Sequence, residues 1–281
     1  MTKLREIFSI VLNHFTGHLE QPQRQAEELF CDLLKKSRAQ LYEHFEQELN
    51  MQQYEQSLHW MERRLNGEPL AYICGQVNFY GCSLKVNGCV LIPRQETEIL
   101  VDEIVQQLTG EDLDNKMLWD LCCGSGCIGI ALKKKFPSLK VIMSDYSPDA
   151  LLIARQNAYL NQVDVSCLEG DLLSVLAGEK VNMIVCNPPY ISTEEFTSCE
   201  KDVRCYEPRE ALIGGKTGLE FYRRLAGDLP NFLLPHGRVW LEIGHKQGVD
   251  MMSIFENPCW KYKRLQKDWA GHDRFFFLEN E

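Results

Sequence analysis

Two adjacent prolines end an apolar run in the second half of the chain, and they constrain the fold more than any other feature. The run 181–186 is typical of a buried parallel strand and leads directly into Asn187-Pro188-Pro189-Tyr190. Proline lacks a backbone N–H and restricts the residue before it, so the pair ends the strand. Open α/β sheets bind ligands at the carboxyl ends of their strands, which predicts a ligand site at Asn187.

The same four residues have a definite hydrogen-bonding chemistry. The Asn187 side chain offers a carbonyl acceptor, the Pro188 backbone carbonyl offers a second, and Tyr190 adds an aromatic face. Two acceptors beside a flat ring fit a planar –NH2 group, on an amide or on a base. A turn that does no more than end the strand is the alternative interpretation, and the rest of the chain favours the ligand site.

Composition and charge narrow the class of protein. The 281 residues suffice for one large domain and a small one, and 44% apolar content is ordinary for a globular protein. The formal net charge of −10 argues against a chain that binds nucleic acid mainly through phosphate contacts. No segment approaches the roughly 18 apolar residues that span a bilayer. The apolar run 7–12 is too short for a signal peptide, so we expect a cytoplasmic protein without membrane contact.

The twelve cysteines are scattered and include no C-x2-C pair. Without a secretion signal, a chain of this length favours buried free thiols over a disulfide scaffold. Cys122, Cys123 and Cys127 cluster in a glycine-rich turn, but no histidine stands at zinc-ligand spacing. We therefore predict no metal site.

Residues 1–75 are predicted to form a helical-bundle domain. Pro22 fits the first turn of a helix, Ser37 opens a capping box, and Asn50 caps a further helix that Gly67 ends. That last helix carries an apolar stripe at alternating steps of three and four, which predicts a packed core face. The stripe consists of Met51, Tyr54, Leu58, Met61 and Leu65.

A β-hairpin linker is predicted at 76–94, because an Asn87-Gly88 turn lies between β-prone runs. From 95 to 281 the pattern alternates strand and helix, which predicts right-handed βαβ units and a mostly parallel sheet. The expected strands are 117–122, 141–145, 165–169, 181–186 and 238–243, closed by a pair at 261–265 and 274–278.

The first of these strands runs into a glycine loop. Gly124, Gly126 and Gly129 form G-x-G-x-x-G, which turns tightly and brings backbone close to a ligand at a helix N-terminus. Dinucleotide binding is one interpretation of such a loop. Asp120 argues against it, because a carboxylate just before the loop repels a pyrophosphate and suits an ammonium group.

Two more acids follow successive strands. Asp145 ends the second strand, where an acid accepts hydrogen bonds from ribose hydroxyls, and Asp171 follows the third, within expected reach of an adenine amine. Together with Asp120 they fit a cationic nucleoside without phosphate. The ligand predicted from the three acids is S-adenosylmethionine.

Several segments carry a family resemblance that spans nearly the whole chain. They are LIPRQETE at 91–98, DLCCGSG at 120–126, NPPYI at 187–191, DVRCYEP at 202–208, ALIGG at 211–215 and LEIGH at 241–245. With these segments the chain resembles the release-factor glutamine methyltransferases of the HemK/PrmC type. The NPPY element alone is shared with adenine amino-methyltransferases, whereas the 91–98 segment joined to a helical domain is far more specific.

The resemblance implies a fold, a reaction and a set of site residues. The fold is α/β, a Rossmann-like seven-stranded S-adenosylmethionine-dependent methyltransferase domain with an N-terminal helical domain that recognises the substrate. The reaction is methylation of the glutamine side-chain nitrogen (N5) in the Gly-Gly-Gln motif of class 1 peptide chain release factors, which modulates translation termination. The implied catalytic and substrate-binding residues are Asn187, Pro188, Pro189 and Tyr190, and the implied cofactor contacts are Cys122, Cys123, Gly124, Ser125, Gly126, Asp145, Leu172 and Asn187.

The chain departs from the family pattern at two places. The family usually has Gly-Thr where this chain has Cys122-Cys123, and proline where it has Gln95. We expect the missing glycine to narrow the gap between the backbone and the methionine moiety of the cofactor. Two other functions stay open at this point: an adenine-N6 methyltransferase acting on DNA or RNA, and a catalytically silent adaptor that binds through its helices.

Overall fold

The computed structural model describes residues 2–176 and 178–281, and these divide into two compact units. One unit comprises Met1–Gly75 with Lys201–Tyr206, and the other comprises Gln76–Glu200 with Glu207–Glu281. The α-helices are α1 Leu4–Phe15, α2 Pro22–Leu34, α3 Arg38–Glu43, α4 Met51–Leu65, α5 Leu70–Cys74, α6 Gln95–Leu108, α7 Cys127–Lys135, α8 Pro148–Leu160, α9 Thr193–Phe196, α10 Lys201–Tyr206, α11 Glu220–Phe232 and α12 Gly248–Ile254. In the described ranges, no helix is long and apolar enough to cross a bilayer.

The helical unit begins its helices where the sequence predicts. Ser37 accepts a hydrogen bond from the Gln40 backbone N–H and Asn50 from that of Gln53, each as part of a capping box. Pro22 stands in the first turn of α2. Gly67 follows the end of α4 with a φ of 98°, a conformation that suits glycine.

The prediction that the whole α4 stripe is core is wrong for Met51, which is 71% exposed. Tyr54, Met61 and Leu65 are partly buried against a cluster built mainly by α1 and α2. The fully buried residue of α4 is Ser57, whose small side chain permits close helix contact. Met51 is the first residue of α4, six residues before Ser57 and therefore about 9 Å away along the helix axis. At that distance it lies beyond the helix contact at Ser57 and stays exposed.

The hairpin lies earlier than the Asn-Gly turn predicts. Strands β1 Gln76–Phe79 and β2 Cys82–Lys85 pair antiparallel around Tyr80 and Gly81, whose φ angles are 43° and 74°. A two-residue turn of this kind needs both central residues in the left-handed region, which tyrosine adopts only with tertiary support. Here Glu98 accepts from the Tyr80 N–H over 2.9 Å, and Asp102 accepts from its hydroxyl over 2.9 Å.

The second unit contains a seven-stranded sheet of order β5-β4-β3-β6-β7-β9-β8, which confirms the α/β prediction. The first five strands are parallel neighbours, and β9 lies antiparallel between β7 and β8. Strand β7 begins five residues before the predicted 238. Pro235 and Gly237 are residues that usually break a strand, and they lie where the pairing of β7 with β6 shifts in register, between Leu233 and Arg238. The strands are β3 Met117–Leu121, β4 Lys140–Asp145, β5 Ser166–Glu169, β6 Val181–Cys186, β7 Leu233–Glu242, β8 Trp260–Lys267 and β9 Asp273–Asn280.

Apolar cores cover both faces of this sheet. Alternate residues of a strand point to opposite faces, so Leu118 joins the cluster under α6, α7 and α8, whereas Trp119 joins the cluster under α11 and α12. Both residues are 0% exposed. Both faces of the sheet are covered, and open α/β sheets bind ligands outside the carboxyl ends of their strands. Leu121, Asp145 and Asn187 all lie at or next to these strand ends.

Candidate active site

A cavity of about 370 Å³ opens at the carboxyl ends of β3, β4 and β6. This volume lies in the range of small-molecule sites. Of the residues predicted from sequence, seven line it: Cys122, Gly124, Asp145, Asp171, Leu172, Asn187 and Pro189. The lining residues not assigned a role from sequence are Cys89, Val90, Leu91, Tyr146, Ser147, Ala150, Gly170, Glu210, Ala211, Ile213, Phe221 and Arg224.

The glycine loop owes its shape to close packing as well as to turning. Gly126 caps α7 with a φ of 79°. A Cβ on Gly129 would lie 2.9 Å from Asp120 Oδ2 and 2.9 Å from Met143, so only glycine lets α7 approach β3 and β4 this closely. The third glycine of the motif therefore serves helix–sheet packing.

Asp120 lies beneath the loop and is only 1% exposed, so it does not face the cavity directly. Its Oδ2 accepts from the Gly129 backbone N–H over 2.8 Å, which places a carboxylate at the N-terminus of α7. Oδ1 is buried and has no hydrogen-bond partner among the described residues. The anion-binding end of the helix is thus satisfied from within, which argues against a pyrophosphate site.

Asp145 is held by two backbone amides at the cavity wall. Its Oδ2 accepts from the Gly124 N–H over 2.8 Å and its Oδ1 from the Ser147 N–H over 2.9 Å. Burial raises the pKa of this carboxyl above its ordinary value, although these amides oppose the shift. Each oxygen keeps a second lone pair, so a ligand diol can still be bound.

Asp171 and Leu172 form the next part of the wall. Asp171 Oδ2 pairs with the guanidinium of Arg224 over 2.6 Å, a contact that the sequence did not suggest. Leu172 has a left-handed φ of 50° and starts a short 3-10 turn. With Glu210 also in the lining, the wall carries three carboxylates against one guanidinium and favours a cationic ligand.

Two glycines hold the Asn187–Tyr190 segment from the other side. A Cβ on Gly214 would stand 2.3 Å from the Pro189 carbonyl oxygen, and one on Gly218 would stand 2.3 Å from the Tyr190 carbonyl oxygen. Both carbonyls belong to backbone, which cannot move aside as a flexible side chain does. The stretch 214–218, which begins in the ALIGG segment and ends beyond it, therefore packs directly against the double-proline loop.

Hydrogen bonds complete this backing. Gln247 Nε2 donates to the Tyr190 carbonyl over 3.0 Å and to the Gly218 carbonyl over 3.1 Å. Ile191 bridges Ile213 in a parallel pair. The loop that follows β6 is thus tied to the stretch 213–218 by backbone and side-chain hydrogen bonds.

The Asn187 side chain contacts two residues whose roles sequence reasoning missed. Its Nδ2 donates to Thr97 Oγ1 over 3.4 Å, and the Thr97 hydroxyl donates to Glu242 Oε2 over 2.7 Å. The Tyr190 hydroxyl lies 3.5 Å from Glu242 Oε1. Thr97 and Glu242 fall inside the segments 91–98 and 241–245, which marked their neighbourhood but not their role.

The remaining predicted residues lie around the cavity rather than in its lining. Cys123 and Ser125 are buried, and the Ser125 carbonyl accepts from Asn157 over 2.9 Å. Pro188 is buried, and Tyr190 faces a second groove of about 520 Å³ formed with Glu194, Glu195 and His245 among others. Direct ligand contacts stay predictions for all the predicted residues, both those that line the cavity and those that lie around it.

Both departures from the family pattern fall where the residue usual in the family would suit the local backbone. Cys122 lines the cavity with a φ of 55°, the left-handed region in which glycine is unstrained. Its thiol hydrogen-bonds with the buried Cys186. Gln95 is the first residue of α6, a position at which proline is common but not required. The helix begins at this residue without a proline. All twelve cysteines are free thiols.

Family models match both units of the chain. Residues 95–201 match the model described as Methyltransferase small domain, and residues 12–75 match the PrmC N-terminal domain. A methyltransferase from Pyrococcus furiosus superposes with a TM-score of 0.52 over 71% of this chain and 89% of its own, at 16% identity, a likeness of fold. The fold and the site define a Rossmann-like methyltransferase.

Curated relatives give the family. The release factor glutamine methyltransferase of Chlamydia trachomatis serovar L2 is 45% identical over 92% of this chain and 88% of its own length. That of Thermodesulfovibrio yellowstonii is 37% identical over 99% and 97%. The chain belongs to the release factor glutamine methyltransferase family.

Proposed function

We propose that this protein transfers a methyl group from S-adenosylmethionine to the side-chain amide nitrogen of a glutamine in the Gly-Gly-Gln motif of class 1 peptide chain release factors. One observation carries the proposal. Asn187 stands in the cavity wall with its nitrogen directed at Thr97, so its amide oxygen is the group left for a substrate N–H.

The cavity suits the proposed methyl donor. S-adenosylmethionine, when bound, supplies a methyl group on a positively charged sulfur. Asp145 keeps one lone pair on each oxygen for the ribose hydroxyls, and the carboxylates of Asp171 and Glu210 suit the positive charge of the ligand. Asp120 is buried beneath the loop and is not part of the cavity lining. These residues fit a cationic nucleoside better than a dinucleotide.

The substrate nitrogen needs orientation rather than a strong base. An amide nitrogen is a poor nucleophile because its lone pair is delocalised into the carbonyl. If Asn187 Oδ1 and the Pro188 carbonyl accept its two N–H bonds, the lone pair is directed away from them, toward the donor. These acceptors also stabilise positive charge that develops on nitrogen during transfer.

Tyr190 is proposed to separate the substrate from the apolar core under α11 and α12, against which it packs. Its side chain is partly buried, and burial raises the pKa of its hydroxyl well above the ordinary range, so the phenol stays neutral at physiological pH. A neutral ring beside Asn187 suits a flat carboxamide group. Its groove with Glu194, Glu195 and His245 is the proposed course of the chain that flanks the glutamine.

The helical unit is proposed to bind the release factor away from the reacting glutamine. Exposed apolar side chains on it include Met51 and Tyr42, at 71% and 42% exposure. Two linked contacts raise apparent affinity over one. The wild-type enzyme should then use an intact release factor with a kcat/KM at least tenfold above that for a short Gly-Gly-Gln peptide.

Mass spectrometry of a purified release factor after incubation with enzyme and S-adenosylmethionine tests the function. A gain of one methyl group on the motif glutamine is expected. An adenine-N6 methyltransferase would instead label DNA or RNA, and an adaptor would label nothing. The net charge of −10 favours a protein substrate, so we propose no direct nucleic-acid contact. We also propose a cytoplasmic location, as for an enzyme that acts on release factors.

A further inference from the structure

Glu242 is a buried carboxyl group beside the candidate active site. The proposed methyl transfer does not by itself assign it a role. It ends β7, next to the carboxyl end of β6, and is 1% exposed. Burial at such a position is unfavourable for a carboxyl group unless its hydrogen bonds are satisfied. Its partners lead toward Asn187: Thr97 donates to Oε2 over 2.7 Å, and the Tyr190 hydroxyl lies 3.5 Å from Oε1.

When Glu242 is ionised, the direction of each hydrogen bond follows from the number of protons available. A threonine hydroxyl has one hydrogen, and here it points at Glu242. The Thr97 oxygen is therefore left as an acceptor, and the group 3.4 Å away that supplies a proton is Asn187 Nδ2. With its nitrogen committed to Thr97, the Asn187 amide has its oxygen on the opposite side.

We propose that Thr97 and Glu242 are positioning residues that select the orientation of the Asn187 amide and thereby present an acceptor, not a donor, to the substrate nitrogen. This rests on the proposed function, in which Asn187 binds the –NH2 group. The reversed amide would set Asn187 Oδ1 against the Thr97 lone pairs. It would also turn an N–H toward the substrate N–H bonds, and both contacts are repulsive.

Neighbouring groups keep Glu242 in place. The Tyr222 hydroxyl donates to the Glu242 backbone carbonyl over 2.8 Å, which fixes the strand end from the opposite face of the sheet. Among charged groups nearby, Arg274 favours the carboxylate and Glu96 opposes it. Thr97 is 2% exposed in the first turn of α6, so its side chain has little freedom to choose another partner.

The test compares three single variants on wild-type substrate. Thr97→Val keeps shape but removes the hydroxyl, and is expected to lower kcat about 10- to 100-fold while S-adenosylmethionine affinity changes less than threefold. Thr97→Ser keeps the hydroxyl and should retain at least a third of the wild-type kcat. Thr109→Val, at the end of the same helix where the hydroxyl bonds the Val105 carbonyl, should leave kcat unchanged.

A double-mutant cycle with Asn187→Ala separates positioning from general damage. Once Asn187 is gone its orientation no longer matters, so Thr97→Val should slow the Asn187→Ala enzyme less than twofold. Equal slowing in both backgrounds overturns the inference, as does a Thr97→Val enzyme at the wild-type rate beside a slow Asn187→Ala enzyme. A wild-type rate for Asn187→Ala itself overturns the proposed function along with it.

If Thr97→Val does not fold, Glu242→Gln takes its place in the cycle. A glutamine amide that turns its N–H2 toward Thr97 reverses the direction of the chain, so the same fall in kcat and the same loss of effect on the Asn187→Ala background are expected. A Glu242→Gln enzyme with wild-type kcat overturns the inference.

Discussion

Asp120 Oδ2 accepts a hydrogen bond from the Gly129 backbone N–H over 2.8 Å. This contact joins the end of β3 to the first turn of α7 at a point where only glycine fits, since a Cβ on Gly129 would lie 2.9 Å from the same oxygen. The pair therefore determines how the glycine loop sits over the sheet. It also buries a carboxyl group whose second oxygen has no partner in the described part of the chain.

That burial predicts a dependence of stability on pH. Burial raises the pKa of Asp120 to about 7 from an ordinary 3.8, against the lowering effect of the Gly129 amide. Between these values the folded protein holds a proton that the unfolded chain has lost. The free energy of unfolding should therefore fall as pH rises from about 5 to 7, by on the order of 1.4 kcal/mol per pH unit for each such group.

Glu242 adds a second group of the same kind, since burial raises its pKa to about 7. Asp120→Asn should thus remove the contribution of Asp120 to this fall in unfolding free energy between pH 5 and pH 7, and leave the contribution of Glu242. Urea denaturation followed by tryptophan fluorescence at both pH values measures this. An unchanged fall in the variant would show that Asp120 does not carry the effect.

Gly214→Ala should disrupt the site. Its Cβ would stand 2.3 Å from the Pro189 carbonyl oxygen, so the loop that carries Asn187 must shift. We expect a loss of stability of about 1–3 kcal/mol, as for other overpacked positions, and a fall in kcat of at least about tenfold. Melting temperature and turnover are the measurements.

Gly227→Ala is the matched control for that variant. Gly227 lies within α11, where an added Cβ meets nothing within 4 Å. The change should stabilise the protein by about 0.5–1 kcal/mol through helix propensity, with kcat unaltered. Similar kcat losses in both variants would contradict the role given to Gly214.

Asp145→Asn should weaken S-adenosylmethionine binding more than it slows the saturated reaction. The variant retains one side-chain oxygen, whereas the wild-type carboxylate serves Gly124, Ser147 and the ligand together. Loss of charge-assisted hydrogen bonds costs about 1.5–3 kcal/mol, or roughly 10- to 100-fold in affinity. Calorimetric titration with the demethylated product is the measurement, with Asp149→Asn, an exposed acid four residues on, as the control.

Cys122→Gly should be neutral or stabilising although it removes a side chain from the cavity wall. Cys122 has a φ of 55°, which costs a residue with a Cβ about 1–2 kcal/mol, whereas the added backbone entropy of glycine costs about 0.5–1 kcal/mol. Cys122→Val should destabilise strongly, because a β-branched residue is least suited to this conformation. The melting temperatures of both variants and of the wild type are the measurement. A Cys122→Val variant more stable than the wild type would contradict this prediction.

Local patterns in the amino-acid sequence were enough to predict most strands and helices of the unit that contains the seven-stranded sheet. Strand Val181–Cys186 has the predicted bounds because Asn187 is followed by two prolines that cannot extend it. Asp145 and the glycine loop were found from their places after apolar runs, which is where parallel strands deliver ligand groups. These features depend on residues adjacent in the chain, so local patterns suffice to find them.

Contacts between segments far apart in the sequence could not be predicted from local patterns, because they form only in the folded protein. The hairpin turn falls at Tyr80 because hydrogen bonds to Glu98 and Asp102 stabilise the left-handed backbone conformation of this tyrosine. The residues around Tyr80 in the sequence do not predict these two contacts. In the same way, Thr97 reaches Glu242 across 145 positions of sequence. A hydrogen-bond chain of this kind exists only once α6 packs against β7, because its geometry depends on packing and not on the order of residues.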